Sequence, residues 1–169
     1  TGMGTGLTKD VFRNNFTLAG WFNLSSLPGP LEKRTIYDAY MDIGDGVQDE
    51  QHVFHVYIDK TGRIVYNSRS KNGFGLDENY TTEPIMANYV STENDADNWV
   101  FIAVTYDVDA HNKEIYYSGI FDVDLKKATM NRLSNVSNLD ADYLDAELFI
   151  GTSKDVENNT KGSFDGLID

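Results

Sequence analysis

Aromatic rings and hydrogen-bonding side chains recur at every second position along several apolar stretches of this sequence. Trp21 and Asn23 alternate with Phe22 and Leu24. His55 and Tyr57 alternate with Phe54, Val56 and Ile58, and Asn67 and Arg69 follow across a short polar turn. Between these runs, residues 35–42 offer Asp38 and Tyr40, whose parity is ambiguous. If the apolar members of each run face a core, the rings and polar groups face outward together. Planar rings stack on the apolar face of a pyranose, while Asn, Asp, Arg and His hydrogen-bond its hydroxyls. The pattern therefore suits recognition of a polyhydroxylated ligand. Each residue also has a plain alternative: Trp21 as packing under a loop, the tyrosines as half-buried strand residues, His55 as a satisfied histidine, and Arg69 as an offset to the acidic field.

Several chemistries are excluded outright. The chain has no cysteine, so it has no disulfide, no thiol nucleophile and no cysteine-bound zinc. His52, His55 and His111 do not form a helical metal pair, and neither a Gly-x-Ser-x-Gly elbow nor a phosphate-binding glycine loop occurs. The formal net charge is −13, which opposes phosphate backbones and anionic lipid surfaces. A nucleic-acid partner is not expected. Nor is membrane insertion, because no apolar run reaches 18 residues. Residues 42–50, Asp-Ile-Gly-Asp-Gly-Val-Gln-Asp-Glu, form an acidic loop that reads either as solvated or as a hard-cation loop without the spacing of an EF-hand.

The elements that must position these groups read as β-strands. Alternation runs through Phe16–Leu24, Thr35–Met41, His52–Ile58, Arg63–Arg69, Trp99–Tyr106, Glu114–Phe121 and Glu147–Gly151. Asp59-Lys-Thr-Gly62 is a turn that uses glycine where a positive φ is convenient, and Leu27-Pro-Gly-Pro30 breaks the chain after the first strand. Residues 72–98 read as a long polar loop with one short strand near 85–90, and residues 139–146 as a turn or two of helix. At 169 residues and 40% apolar content, the expectation is one domain over 1–169 with a sizeable core. Many short strands between turn signals predict an all-β antiparallel β-sandwich of jelly-roll type.

Three segments carry a resemblance. Phe16-Thr-Leu-Ala-Gly-Trp-Phe22 is similar to an F-T-hydrophobic-small-small-W strand. Trp99-Val-Phe-Ile-Ala-Val-Thr-Tyr-Asp107 with Ile115-Tyr-Tyr-Ser-Gly119 is similar to a W-x-hydrophobic-x-A-V-T-Y-D hairpin. Leu148-Phe-Ile-Gly151 with Phe164-Asp-Gly-Leu-Ile-Asp169 is similar to an I-G strand and a closing F-x-G-x-I-D. In this order they resemble the laminin-G-like, concanavalin A-like lectin and glucanase superfamily. That family usually adds an opening strand and a strand after the final I-D, so the sequence is expected to be a piece of a longer chain with covalently linked neighbouring domains. The resemblance implies a structural calcium held by Asp169, with Asp165 as a second ligand; the alternative is that Asp169 caps the final turn. The family's glucanase branch carries paired acids on one strand as E-x-D-x-x-E or E-x-D-x-E, and none of the eight Glu here sits in such a run. The lyase-like pattern also fails. The expected function is therefore a non-catalytic carbohydrate-binding module of an extracellular or cell-surface protein. It would bind glycan or polysaccharide through Trp21, Asn23, Asp38, Tyr40, His55, Tyr57, Asn67 and Arg69. A protein-binding adhesion module and an architectural module are the alternatives.

Overall fold

The computed structural model describes residues 15–42, 50–68, 78–90, 98–107, 112–132, 147–152 and 162–169. Its strands are β1 Phe16–Leu24, β2 Arg34–Asp42, β3 Glu50–Ile58, β4 Ile64–Ser68, β5 Glu78–Thr81, β6 Val100–Asp107, β7 Asn112–Gly119, β8 Lys126–Lys127, β9 Asn131–Arg132, β10 Glu147–Ile150 and β11 Gly166–Ile168. They form two antiparallel sheets. One has five strands in the order β11-β1-β6-β7-β8, the other six in the order β10-β2-β3-β4-β5-β9. The chain is thus the all-β antiparallel sandwich that its alternating pattern predicts.

The period-2 patterns meet between the sheets. Phe22, Leu24, Ile102, Val104 and Ile115 of the five-stranded sheet face Phe54, Val56, Ile58, Ile64 and Tyr66 of the six-stranded sheet, and all are fully buried. Rings fasten the layers to each other. Phe16 stacks on Phe54 at 5.4 Å, and Phe22 meets Tyr37 edge-on at 5.7 Å. Such pairs add about 0.5–1.5 kcal/mol each beyond the area they bury. Lys113 of β7 also points into the interior. Its ammonium lies 5.3–5.8 Å from the rings of Tyr66, Tyr80 and Tyr106, so aromatic faces replace part of its hydration.

Two glycines explain local geometry. The turn between β3 and β4 is tied by the Asp59 carboxylate, which accepts from the backbone N–H groups of Thr61 and Arg63 at 2.8 and 3.1 Å. Gly62 there has φ +81°, and a Cβ would sit 2.5 Å from the Ala87 nitrogen. In the closing segment, Gly166 has φ +153°, and a Cβ would lie 1.8 Å from the Asn23 carbonyl oxygen. Only glycine lets β11 approach β1 this closely, which is the physical content of the F-x-G-x-I-D motif.

Two sequence expectations need correction, and two short strands were not foreseen. Residues 85–88 form a 3-10 turn and not a strand. Pro84 precedes it, and Met86 donates to the Gly62 carbonyl at 2.8 Å, so buried Ile85 and Met86 plug the end of the sandwich against the β3–β4 turn. β5 lies inside the stretch read as a loop, because its short polar run, Glu-Asn-Tyr-Thr, shows too little alternation. β8 and β9 are two residues each, too short to carry a periodic signal. The helix expected at 139–146 lies outside the described residues.

Candidate functional site

The anticipated binding residues divide between opposite sides of the sandwich. Trp21 and Asn23 lie on β1, in the five-stranded sheet, whereas Asp38, His55, Tyr57 and Asn67 lie on β2–β4, in the six-stranded sheet. The single outward face expected from parity is therefore corrected to two. Parity along a strand tells in from out, but not which sheet the strand joins. The connection from Leu24 to Arg34 carries the chain from one sheet to the other.

On the six-stranded sheet, register brings the polar residues into rows. Phe149, Asp38, His55 and Asn67 stand side by side across β10, β2, β3 and β4. Thr35, Tyr57, Val65 and Thr81 form the next row. A register shift after Thr35 lets Ile36 reach the core while Thr35 and Asp38 both stay on the outer face. The Thr35 hydroxyl and His55 Nε2 are 2.9 Å apart, and the His55 and Tyr57 rings are 4.9 Å apart. Lys33 places its ammonium 4.4 Å from the Tyr57 ring centre. The backbone of Tyr40 is in register with His52 and Glu147. Arg69 lies outside the described residues.

This outer face is withdrawn from solvent. Asp38 and Thr35 are 0% exposed and His55 is 6% exposed. Tyr57 and Asn67 are half-buried and Lys33 is open. A hydroxyl, an imidazole and a carboxylate stand together here, the residue types of an acyl-transfer relay. Because the Thr35 hydroxyl is fully buried, no substrate reaches it, and the group serves as a fixed polar floor beneath the accessible margin of Tyr57, Asn67 and Lys33.

The five-stranded sheet behaves differently. Trp21 is half-buried and meets Phe101 of β6 edge-on at 5.5 Å. Asn23 is only 8% exposed, so its side chain is not open to a ligand as anticipated; β11 pairs alongside that end of β1. Toward the other end of the same face lies a cleft of about 430 Å³ lined by residues of β1, β6 and β7. On its edge, Glu114 Oε1 accepts from Lys127 and, at 2.9 Å, from Asn112, while Oε2 accepts from the Tyr116 hydroxyl. The Lys127 bond first, and the Tyr116 bond next, hold the Glu114 carboxyl at about 2, against the usual 4.5. The cleft residues were legible. Applying parity to β6, with Ile102, Val104 and Tyr106 facing in, turns Phe101, Ala103, Thr105 and Asp107 outward.

Asp165 and Asp169 of the closing segment have partners of their own. The Asp165 carboxylate accepts from the Ser26 hydroxyl at 2.6 Å and lies 3.8 Å from the Arg34 guanidinium, so a cation there would compete with Arg34. Asp169 exchanges backbone hydrogen bonds with Trp21 at 2.9 and 3.0 Å, extending the β11–β1 ladder. No group of three His, Asp or Glu gathers around a common point among the described residues.

No family model matches the chain, and no curated protein matches its sequence. Solved structures share its fold. The CBM40 of a Ruminococcus gnavus IT-sialidase, bound to alpha2,3 sialyllactose, superimposes with a TM-score of 0.52 at 14% identity, covering 99% of this chain and 80% of that one. The same CBM40 bound to alpha2,6 sialyllactose gives 0.51 at 15% identity, with the same coverage. A leech intramolecular trans-sialidase, complexed with 2,7-anhydro-Neu5Ac, gives 0.59 at 16% identity. There the match covers 99% of this chain but only 23% of that one. The chain is therefore similar in fold to a carbohydrate-binding module and to one part of a much longer enzyme.

Proposed function

We propose that this chain is a non-catalytic carbohydrate-binding module of an extracellular or cell-surface protein, joined covalently to further domains. The observation that carries the reading is the fold shared with a CBM40 seen with sialyllactose bound. Supporting it is the six-stranded face, where buried Thr35, Asp38 and His55 neighbour the more accessible Tyr57, Asn67 and Lys33. Tyr57 offers a ring to an apolar sugar face, Asn67 hydrogen-bonds hydroxyls, and Lys33 supplies the cation that an acidic sugar requires on a protein of net charge −13. Arg69, two residues beyond Asn67 along the chain, is the second candidate cation, and Tyr40 a second candidate ring. Sialylated glycans are the first ligand class to try.

The test is calorimetric titration with 3′-sialyllactose, alongside a glycan array in calcium-containing buffer. Lys33→Glu is expected to weaken binding at least about tenfold with unchanged melting temperature, and Tyr57→Ala to weaken it as much with a fall of only a few degrees. Absence of binding to every glycan would overturn the reading. Calcium at Asp165 and Asp169 is a separate question, answered by whether excess chelator lowers the melting temperature. One observation favours a protein-binding module instead. The β7–β8 connection exposes Phe121, Val123 and Leu125, with Val123 96% exposed. That reading gains if the array is blank.

A further inference from the structure

We propose that the outer face of the five-stranded sheet is a second, separate binding surface, which takes an uncharged oligosaccharide lying along the strands. Antiparallel register arranges this face in rows. Trp21, Phe101 and Ser118 stand in line, and Ala19, Ala103 and Tyr116 follow. Next come Thr17, Thr105 and Glu114, and past them Asp107 pairs with Asn112 beside Asn15. From Trp21 to Asn15 is six residues of strand, or roughly 20 Å. The rows differ in kind. At one end, Trp21 and Phe101 hold each other edge-on and present half-open apolar rings. In the middle, two alanines keep the surface low, and Tyr116 rises along one side. At the other end the surface falls into the cleft of about 430 Å³.

The lining chooses the ligand. Threonine hydroxyls and asparagine amides each donate and accept, and the Asp107 and Glu114 carboxylates accept. Vicinal hydroxyls on a sugar present this same mixture. A ring platform continued by a polar hollow suits a chain whose units have both an apolar face and a hydroxylated rim. Charge sets the sign of the selectivity. Lys127, the ammonium bonded at the cleft, is committed to Glu114, and the chain as a whole carries a net charge of −13. A carboxylated sugar is repelled here, whereas Lys33 attracts it on the opposite face. This inference stands on its own residues and does not require glycan binding at Tyr57.

The experiment is amide and indole NMR of the isotope-labelled protein. It is titrated separately with cellohexaose, xylohexaose, mannohexaose, lactose and 3′-sialyllactose. At least one neutral hexasaccharide is expected to shift the Trp21 indole and the Thr105, Asp107 and Asn112 amides, leaving Tyr57 and Asn67 unmoved. Trp21→Ala should weaken that binding about tenfold and leave any 3′-sialyllactose response at Tyr57 intact. Asn112→Ala, a change at an exposed strand end, carries the test if Trp21→Ala folds poorly. The inference is overturned if no neutral probe moves these signals, or if neutral sugars act through Tyr57. It is also overturned if 3′-sialyllactose occupies the Trp21 face more tightly than the neutral chains. If 3′-sialyllactose fails everywhere while a neutral chain binds at Trp21, only the reading of the six-stranded face falls.

Discussion

The two outer faces of this sandwich are built from similar residue types and end in opposite states. On the six-stranded sheet the outward Thr35, Asp38, His55 and Thr81 are buried, and the Thr35 hydroxyl is bonded to the His55 ring. On the five-stranded sheet the outward Thr17 and Ala19 are exposed, and Trp21, Phe101, Thr105 and Tyr116 are half-open. A polar group withdrawn from water must be satisfied inside the protein or cost about 1–3 kcal/mol. The covered face keeps the Thr35–His55 pair and the Asp38 carboxylate out of water, so its accessible margin alone meets a ligand. The open face keeps its groups in exchange with water, where a ligand can replace that water directly.

Substitutions can break this contrast. The largest effect is expected at the border of the open face. Gly166→Ala drives a Cβ into the Asn23 carbonyl and should lift β11 from β1, costing about 3 kcal/mol or more, read by denaturant unfolding. His55→Ala on the covered face strips the Thr35 hydroxyl of its partner and leaves a void. We expect about 2–3 kcal/mol, or a fall of roughly 4–12 °C in melting temperature for a domain of this size. Trp21→Ala on the open face removes a larger ring yet should cost only about 1 kcal/mol, since the indole is half in water and meets Phe101 edge-on. Equal losses for His55→Ala and Trp21→Ala would mean that the faces do not differ as described.

The same contrast marks what sequence could reveal. Strand existence was legible in β1 and β3 from outward polar residues set between apolar ones, and in β6 from a run rich in β-branched and aromatic residues, onto which β7 pairs back across a polar turn. Parity correctly placed His55, Tyr57 and Asn67 together, and it left Asp38 open for a reason: a register shift in β2 breaks the alternation there. Which sheet a strand enters is set by a connection and by long-range pairing, so Trp21 and His55 looked like neighbours in one pattern while lying on opposite layers. Burial of an outward residue is invisible for the same reason. The closing motif was readable as a motif, but its cause, the approach of Gly166 to the Asn23 carbonyl, exists only in three dimensions.

The smallest expected effect concerns charge on the open face. The Glu114 carboxyl is held at about 2, chiefly by the hydrogen bond from Lys127 and then by that from Tyr116. Because the folded value is depressed below the usual 4.5, the stabilisation is fully present above 4.5. It fades as pH falls toward about 2, when the carboxyl takes up a proton. The Glu114 side-chain carbon signal should therefore stay that of a carboxylate through the mildly acidic range. Lys127→Met should move its titration upward toward the ordinary value, with little change in melting temperature because the pair is surface-exposed. Neutral-sugar shifts at Thr105 and Asp107 should persist to lower pH in the parent protein than in Lys127→Met. An unshifted Glu114 titration, with sugar binding indifferent to Lys127, would remove the carboxylate from the cleft's account and leave the rings of Trp21 and Phe101 as its remaining anchor.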